Sequence, residues 1–273
     1  MLRRHLDSDF VGGAYVFPGG KVDDDDRGPA PAEVCEGRDD RQASDMLGVG
    51  SGGLAFWIAA LRECFEEAGV LLARFDDARW PGPEWTEEWR QRLTALRAAL
   101  NAGEIGFLEA CRKEGLRLAT DRVHYFSHWI TPEPAPKRYD TRFFVAALPP
   151  GQVPIHDDHE TTDTVWVRPH EALVRARAGE FDLIFPTMKN LEAIGRFASS
   201  GELLAAAAAI EKVPTVLPRV VADEHGLRIL LPGDPGYEDA VAPPASRRDE
   251  LTASELGDIV RTIGADGKSR PPP

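Results

Sequence analysis

Arg62-Glu63-Cys64-Phe65-Glu66-Glu67-Ala68-Gly69-Val70 closes a run from Leu54 to Ala68 in which Phe56, Ile58, Leu61, Cys64, Phe65 and Ala68 recur at helical spacing. Gly69 stands where a helix C-terminal cap belongs. The run predicts an amphipathic helix whose three glutamates, at i, i+3 and i+4, project from one face. Like charges so placed weaken a helix by ~0.2–0.5 kcal/mol per pair, and a divalent cation bridging them would reverse the sign. Hard oxygen donors of this kind suit Mg²⁺ or Mn²⁺. A face turned to water is the commoner fate of an acidic helix, so the decision rests on what surrounds this one.

Upstream, Tyr15 to Phe17 reads as a short strand running into Pro18-Gly19-Gly20, a tight turn with exposed backbone. Met1-Leu2-Arg3-Arg4 reads as the end of a strand that starts before Met1, with Asp7 to Gly13 a loop after it. Asp23 to Gly53, rich in Asp, Gly, Pro and Ala without a sustained period, reads as a solvated loop. Downstream, Glu84 to Leu100, with Trp85, Trp89, Leu93, Leu96 and Leu100 on one stripe, and Glu104 to Glu114 predict two helices. Strands are expected over Val123 to Ile130, Arg142 to Leu148 and Thr164 to Val167. Further helices are expected over Pro169 to Arg177, Pro186 to Ala198 and Glu202 to Lys212, then a hairpin within Val213 to Leu231 and a free tail from Gly267. The expected plan is a domain over 1–212, with a loop at 23–53 and a helical insertion at 76–118, followed by a C-terminal hairpin and tail over 213–273.

The 273 residues hold 32 Lys plus Arg against 45 Asp plus Glu, a net charge of −13. That balance argues against a chain that works by neutralising a nucleic-acid backbone or an anionic membrane, and it means that a polyanionic substrate would need cations. Leu203 to Ile210, the longest strongly apolar stretch, is far below the roughly 20 residues that span a bilayer. Arg3, Arg4, Asp7 and Asp9 break up the amino-terminal apolar residues, unlike a secretory signal, so a cytoplasmic location is expected. Cys35, Cys64 and Cys111 are odd in number and widely spaced, which fits neither a disulfide framework nor a zinc site.

The stretch Gly20 to Val70 resembles the box of the Nudix hydrolases, G-x5-E-x7-R-E-U-x-E-E-x-G-U, with U an aliphatic residue. Gly20 fills the first position; Arg62, Glu63, Glu66, Glu67, Gly69 and Val70 fill the second half, with Cys64 at the apolar position. The first glutamate position falls on Asp26, and 35 residues separate Asp26 from Arg62 where the family box has seven. This interrupted box, with Phe17-Pro18-Gly19-Gly20 before it and a Trp-Ile-Thr-Pro segment at 129–132 after it, resembles the branch that includes the peroxisomal coenzyme A diphosphatases. The resemblance implies an α/β fold, a Nudix-type α/β/α sandwich with a mixed sheet, here carrying a helical insertion and a C-terminal extension. It implies Glu66 and Glu67 as metal ligands, Glu63 as ligand or base, the Gly20 carbonyl as a further ligand and Arg62 as a brace for the carboxylates. Asp26 becomes a supporting acid.

Outside the box, Asp157-Asp158-His159-Glu160 precedes a strand where related enzymes often carry one more carboxylate, and Glu160 is the candidate. Arg138 and Arg142 flank Tyr139-Asp140-Thr141; as a guanidinium pair they are candidates for phosphate. His124, His128 and His156 have no ligand spacing. The implied activity is metal-dependent cleavage, with Mg²⁺ or Mn²⁺, of the diphosphate in a small nucleoside-diphosphate derivative. Coenzyme A or acyl-CoA is the first choice, giving 3′,5′-ADP and (acyl-)4′-phosphopantetheine. ADP-ribose, NADH and nucleotide sugars remain open, as does a Nudix-fold binding or sensing module without catalysis. Glu63, Glu66 and Glu67 together favour the enzyme, since a binder has no need of all three.

Overall fold

The structure is a computed structural model; it describes residues 1–6, 12–27, 31–81, 87–133, 135, 138–157, 160–223 and 226–240. In chain order the elements are β1 (Leu2–Arg4), β2 (Tyr15–Val16), a 3-10 turn (Asp25–Arg27), α1 (Pro31–Val34), α2 (Asp40–Leu47), α3 (Leu54–Ala68), β3 (Ala73–Phe75), α4 (Glu87–Asn101), α5 (Phe107–Glu114) and β4 (Leu116–Leu118). A second 3-10 turn (Thr120–Arg122) leads into β5 (Val123–Ile130), β6 (Asp140–Ala146), β7 (Thr161–Thr164), α6 (Pro169–Arg177), α7 (Phe185–Ile194), α8 (Ser200–Ala208), β8 (Thr215–Val216), β9 (Arg219–Asp223) and β10 (Gly226–Leu230). The mix of helices and short sheets is the α/β class that the sequence implies. Among the described residues no helix is long and apolar enough to cross a membrane.

α3 is the axis of the larger core. Leu54, Trp57, Ile58, Leu61, Phe65 and Ala68 are buried along one side, joined by Leu47 of α2, Leu108 and Cys111 of α5, Leu118 of β4 and Val123 and Tyr125 of β5. Trp57 is fully buried, donates its indole N–H to the Val123 carbonyl at 2.9 Å and meets the Phe144 ring edge-on at 4.9 Å. Truncation of a side chain so placed costs ~3–5 kcal/mol. The helix stops at Gly69, whose left-handed φ of 66° turns the chain while Gly69 N–H and Val70 N–H donate to the Phe65 and Cys64 carbonyls.

Around this axis β1 is the middle strand of a sheet ordered β2-β1-β7, and β5 lies between antiparallel β6 and parallel β8. β3 pairs antiparallel with β4, so the chain leaves for α4 and α5 and returns beside its point of departure. A second apolar cluster joins Tyr15 of β2 to Ala172 of α6, Phe181, and Phe185, Met188 and Leu191 of α7; Tyr15 stacks on Phe181 at 4.0 Å. The segment after α8 packs back on the rest, with β8 on β5 and Ile229 and Leu231 against the second cluster.

Two expectations are corrected. The stretch 23–53 is not a solvated loop: it holds the Asp25–Arg27 turn, α1 and α2, and it buries Val34, Cys35, Ala43 and Leu47. Its cause is local chemistry that composition hides. Asp39 and Gln42 form a capping box, with Gln42 N–H to Asp39 Oδ1 at 2.7 Å and Asp39 N–H to Gln42 Oε1 at 3.0 Å. Gly53 lets α2 lie against the start of α3, since a Cβ there would sit 2.4 Å from Ser44 N. The second correction moves the strand expected at Thr164 to Val167 to Thr161–Thr164, because pairing with β1 sets the ladder; Val165 and Val167 instead pack on the second cluster. Trp85, Asp158, His159 and the tail from Gly267 lie outside the described residues.

Candidate active site

The turn after β2 lies directly on the acidic face of α3. Gly19 N–H donates to Glu67 Oε2 at 2.9 Å. A Cβ on Gly20 would lie 2.2 Å from Glu63 Oε1, so only glycine allows the backbone to come this close to that carboxylate. Thus Gly20, more than forty residues upstream, shares one small volume with Glu63 and Glu67.

Arg62 organises the other side. Its Nε and Nη2 donate to the two oxygens of Asp26 at 2.9 and 3.0 Å, and Nη2 also donates to the Lys21 carbonyl at 2.8 Å. Nη1 donates to Glu63 Oε1 at 2.9 Å and to Glu66 Oε2 at 2.8 Å, and Asp23 adds an ion pair at 3.3 Å. Asp26, 1% exposed, accepts the Asp23 amide as well, at 2.8 Å. A planar guanidinium is the side chain that can serve so many acceptors at once. Despite the 35 residues between them, Asp26 and Arg62 form one bidentate pair, because the 3-10 turn packs on α3 while the insertion closes behind it.

The electrostatics are unbalanced. Burial pushes the Glu67 carboxyl up to about 8; the Gly19 N–H pulls the other way, while repulsion from Glu63 and Glu160 adds to the rise. Burial likewise pushes Glu63 up to about 7 against the pull of Arg62, with Glu66 and Glu160 repelling. Burial raises Glu66 too, opposed by Arg62 and reinforced by Asp26 and Asp23. For Arg62 itself burial would lower the pKa, but the hydrogen bond and charge of Asp26, with Glu63 and Glu66, hold it above the ordinary arginine value. Carboxylates that ionise only at a cost are the environment a divalent cation relieves, and Glu63, Glu66, Glu67 and the Gly20 carbonyl offer it hard oxygen donors. Among the described residues no three or more such side chains are gathered closely enough to ring a metal ion; Arg62 holds Glu63 and Glu66, and the Gly19 N–H holds Glu67.

Charge repulsion from Glu160 adds, after burial and the nearer groups, to the rise at both Glu63 and Glu67. The Glu160 amide donates to Asp157 Oδ2 at 3.2 Å and its carbonyl accepts from His5 N–H. The two arginines have different partners. Arg138 donates to the Thr131 carbonyl at 3.0 Å, whereas Arg142 donates to Asp140 at 2.8 Å and lies 4.4 Å from the Phe56 ring centre, two turns of α3 before Glu63. Sequence reasoning missed the Gly19 amide, the Lys21 carbonyl, Asp23, Arg97 and Gln152. Gly19 was within reach, as the residue beside Gly20 in the same turn; Arg97 and Gln152 carry no local signal, since only the packing of α4 and of the 149–157 segment on α3 brings them here. Cys35, Cys64 and Cys111 are free, and burial pushes each thiol up to about 12, so none is a nucleophile at neutral pH.

A glycine turn against an R-E-x-x-E-E helix, braced by a buried acid from before the insertion, is the architecture of a Nudix hydrolase, and the chain belongs to that family. Residues 37–194 match the profile of the NUDT19 Nudix domain. The acyl-coenzyme A diphosphatase NUDT19 of Homo sapiens is 30% identical over 270 residues, covering 87% of this chain and 71% of that protein. The protein of the same name from Gallus gallus is 29% identical, covering 87% and 72%. Among solved structures, a NUDIX hydrolase from Alicyclobacillus acidocaldarius has the same fold, with a TM-score of 0.57 at 23% identity, covering 75% of this chain and 86% of that one. The chain is thus a Nudix hydrolase, an enzyme of diphosphate bonds.

Proposed function

We propose that this enzyme is a metal-dependent pyrophosphohydrolase that cleaves the diphosphate of coenzyme A or an acyl-CoA into 3′,5′-ADP and (acyl-)4′-phosphopantetheine. The observation that carries the reading is the packing of Glu63 and Glu67 against Gly19-Gly20, which leaves both carboxyls raised even though Arg62 donates to Glu63 and the Gly19 N–H to Glu67. The names of the relatives supply the substrate half.

In this reading Glu63, Glu66, Glu67 and the Gly20 carbonyl hold Mg²⁺ or Mn²⁺, and Arg62, fixed by Asp26, keeps Glu63 and Glu66 aimed. The bound ion supplies neutralisation of the phosphoryl oxygens and a more acidic water. Glu63 or Glu160 takes the proton of the attacking water. The water oxygen bonds to one phosphorus, the bridging P–O–P bond breaks, and its electron pair leaves with the other phosphate. Arg142 and Arg138 are the candidates for binding the outer parts of the substrate. Thioester cleavage lacks machinery, since the thiols of Cys35, Cys64 and Cys111 are all pushed up to about 12 and the chain has no Gly-x-Ser-x-Gly elbow. Free thiols, two of them buried, also suit a reducing compartment, which supports the cytoplasm as its location.

The test is a panel of CoA, acyl-CoAs, ADP-ribose, NADH and nucleotide sugars with Mg²⁺ or Mn²⁺ in oxygen-18 water, products identified by mass. Label on a phosphate of 3′,5′-ADP or phosphopantetheine is expected. Faster turnover of another diphosphate overturns the substrate; free thiol CoA released from acyl-CoA, with the diphosphate intact, overturns the bond.

A further inference from the structure

Arg97 stands on α4, outside the motif, yet its guanidinium lies at the carboxy-terminal end of α3. Nε donates to the Glu66 carbonyl at 2.8 Å and Nη1 to the His156 carbonyl at 3.5 Å. Between those two points Ile155 N–H donates to the Ala68 carbonyl at 2.9 Å. Gln152, only 6% exposed, extends the same seam. Its Nε2 donates to the Leu71 carbonyl at 2.8 Å and to the Pro81 carbonyl at 3.3 Å, and its Oε1 accepts Leu71 N–H at 2.8 Å, so the amide pairs with Leu71 as a neighbouring strand would. Even the helix cap conforms, since a Cβ on Gly69 would meet Arg97 Nη1 at 3.1 Å.

The far side of this segment is tied as well. Asp157 Oδ1 accepts the amide and hydroxyl of Thr161, both at 2.9 Å, and His5 N–H donates to the Glu160 carbonyl at 2.9 Å. Glu160 therefore follows a stretch anchored on α3 before it and on the end of β1 after it. The two anchors lie on different elements: the His5 N–H just after β1 holds Glu160 itself, and Arg97 bridges the segment before it to the end of α3.

We propose that Arg97 is a positioning residue that sets the carboxylate of Glu160 opposite Glu63 and Glu67 by tying the 152–157 segment to the end of α3. The inference rests on the reading of Glu160 as a working carboxylate in the proposed diphosphatase. Arginine suits the role because its planar fork reaches two carbonyls, one on each element, which a lysine ammonium does not do with the same geometry. The helical insertion thereby acquires a function: it supplies from α4 the part that spans the gap between box helix and loop.

The experiment is a double-mutant cycle in the full chain with Arg97→Met, which keeps the apolar stem and removes the donors, and Glu160→Gln, read by kcat, KM and amide hydrogen exchange. Arg97→Met should lower kcat by about tenfold or more with KM little changed, as a misplaced group does. Arg97→Lys should recover part of the loss. In the Glu160→Gln background Arg97→Met should cost nothing further, because the group it positions is already gone. The Ile155 amide should exchange faster in Arg97→Met while the core keeps its protection. A loss of kcat that simply adds in the double variant, or unchanged exchange at Ile155, overturns the proposal. Wild-type turnover in Glu160→Gln overturns the reading of Glu160 and the proposal with it. Exchange needs no turnover, so a wild type inactive on every diphosphate overturns the proposed function while faster exchange at Ile155 still supports Arg97 as the residue that fixes the loop. Should Arg97→Met fail to fold, Arg97→Lys carries the same cycle.

Discussion

Asp26 and Glu67 are both buried carboxylates beside the Gly19-Gly20 turn, 1% and 6% exposed, yet they stand in opposite states. Asp26 takes two N–H arms of Arg62 and the Asp23 amide. Glu67 has the Gly19 N–H as its described donor and is pushed up to about 8. Burying a carboxylate is tolerable when a guanidinium answers it and costly when one amide does. The first arrangement makes a frame, independent of any ligand; the second leaves a carboxylate whose charge a bound cation would relieve. Arg62 marks the boundary, since its Nη1 reaches Glu63 and Glu66 while Glu67 lies beyond it. Activity should therefore be most sensitive on the Glu67 side and stability on the Asp26 side.

The largest effect that would break this comparison concerns catalysis. Glu67→Gln and Glu66→Gln should each lower kcat by orders of magnitude, as expected when a cation that neutralises charge and activates water is lost, with the fold intact. Metal-free stability should hold or rise slightly, because each change removes like-charge repulsion on α3. Steady-state kinetics at saturating Mg²⁺ and thermal melts in chelator check both halves; near-normal turnover in either variant sinks the metal-site assignment.

On the framed side the order reverses. Asp26→Asn keeps the shape but breaks a bidentate pair whose two side chains are 1% and 8% exposed, so a destabilisation of about 3–5 kcal/mol is expected. Loss of activity should follow from slack in Arg62, and should shrink when the variant is assayed well below its own melting temperature. Urea unfolding measures the first effect. An Asp26→Asn protein as stable as wild type would show that Arg62 is held by Glu63, Glu66 and the Lys21 carbonyl alone.

The pH dependence sharpens the comparison further. Glu63 and Glu67 have pKa values of about 7 and about 8 in the folded chain, above the ordinary value near 4.3 that they regain on unfolding. As pH rises from about 4.3 through about 8, the unfolded chain loses these protons first, so metal-free stability falls across that window and levels off above it. Melting temperatures in chelator should thus drop between about pH 5.5 and pH 8.5, and Glu67→Gln should flatten the drop. Equal slopes in wild type and variant would show that burial does not raise Glu67 above the ordinary carboxylate value.

How much of this was legible in the sequence follows from the range of the interactions. The i, i+3, i+4 carboxylates and the helix under them are local, and α3 ends at Ala68 before Gly69 as its pattern implies. The start of α6 at Pro169 and the span of β5 are local too, and both match. The pairing of Asp26 with Arg62 was legible only through the resemblance, because no periodicity links residues separated by the α1–α2 insertion. That insertion was misread for a physical reason: Ala43, Ser44 and Leu47 supply too narrow an apolar stripe to stand out, and the order comes from the Asp39–Gln42 capping box and the closeness allowed by Gly53. Arg97 and Gln152 bond to backbone carbonyls and amides, which every residue carries, so their targets have no sequence signature at all.

The smallest expected effect tests whether the insertion is itself a support for the site. Asp40 of α2 accepts Gly52 N–H at 2.9 Å on one oxygen and Leu54 N–H at 3.0 Å on the other, while Ser44 Oγ accepts Gly53 N–H at 2.9 Å. Gly53 offers no capping side chain of its own, so α3 borrows its N-terminal cap from the insertion, and the charge of Asp40 also meets the positive end of the helix dipole. The backbone hydrogen bonds from Leu54 and Gly52 hold the Asp40 carboxyl below its ordinary value. Its contribution is therefore complete above the unfolded value near 3.9 and is lost as pH falls through the lowered folded value. Asp40→Asn should cost about 1 kcal/mol near neutral pH, a drop of ~2–4 °C in a chain of this size, and the gap from wild type should narrow in acid. kcat should barely change, since the far end of α3 is held independently by Arg62 and Arg97. An Asp40→Asn protein that melts with wild type at neutral pH would make the insertion a passenger; one that loses kcat without losing stability would mean that the cap, rather than the Asp26–Arg62 frame, sets the aim of the glutamates.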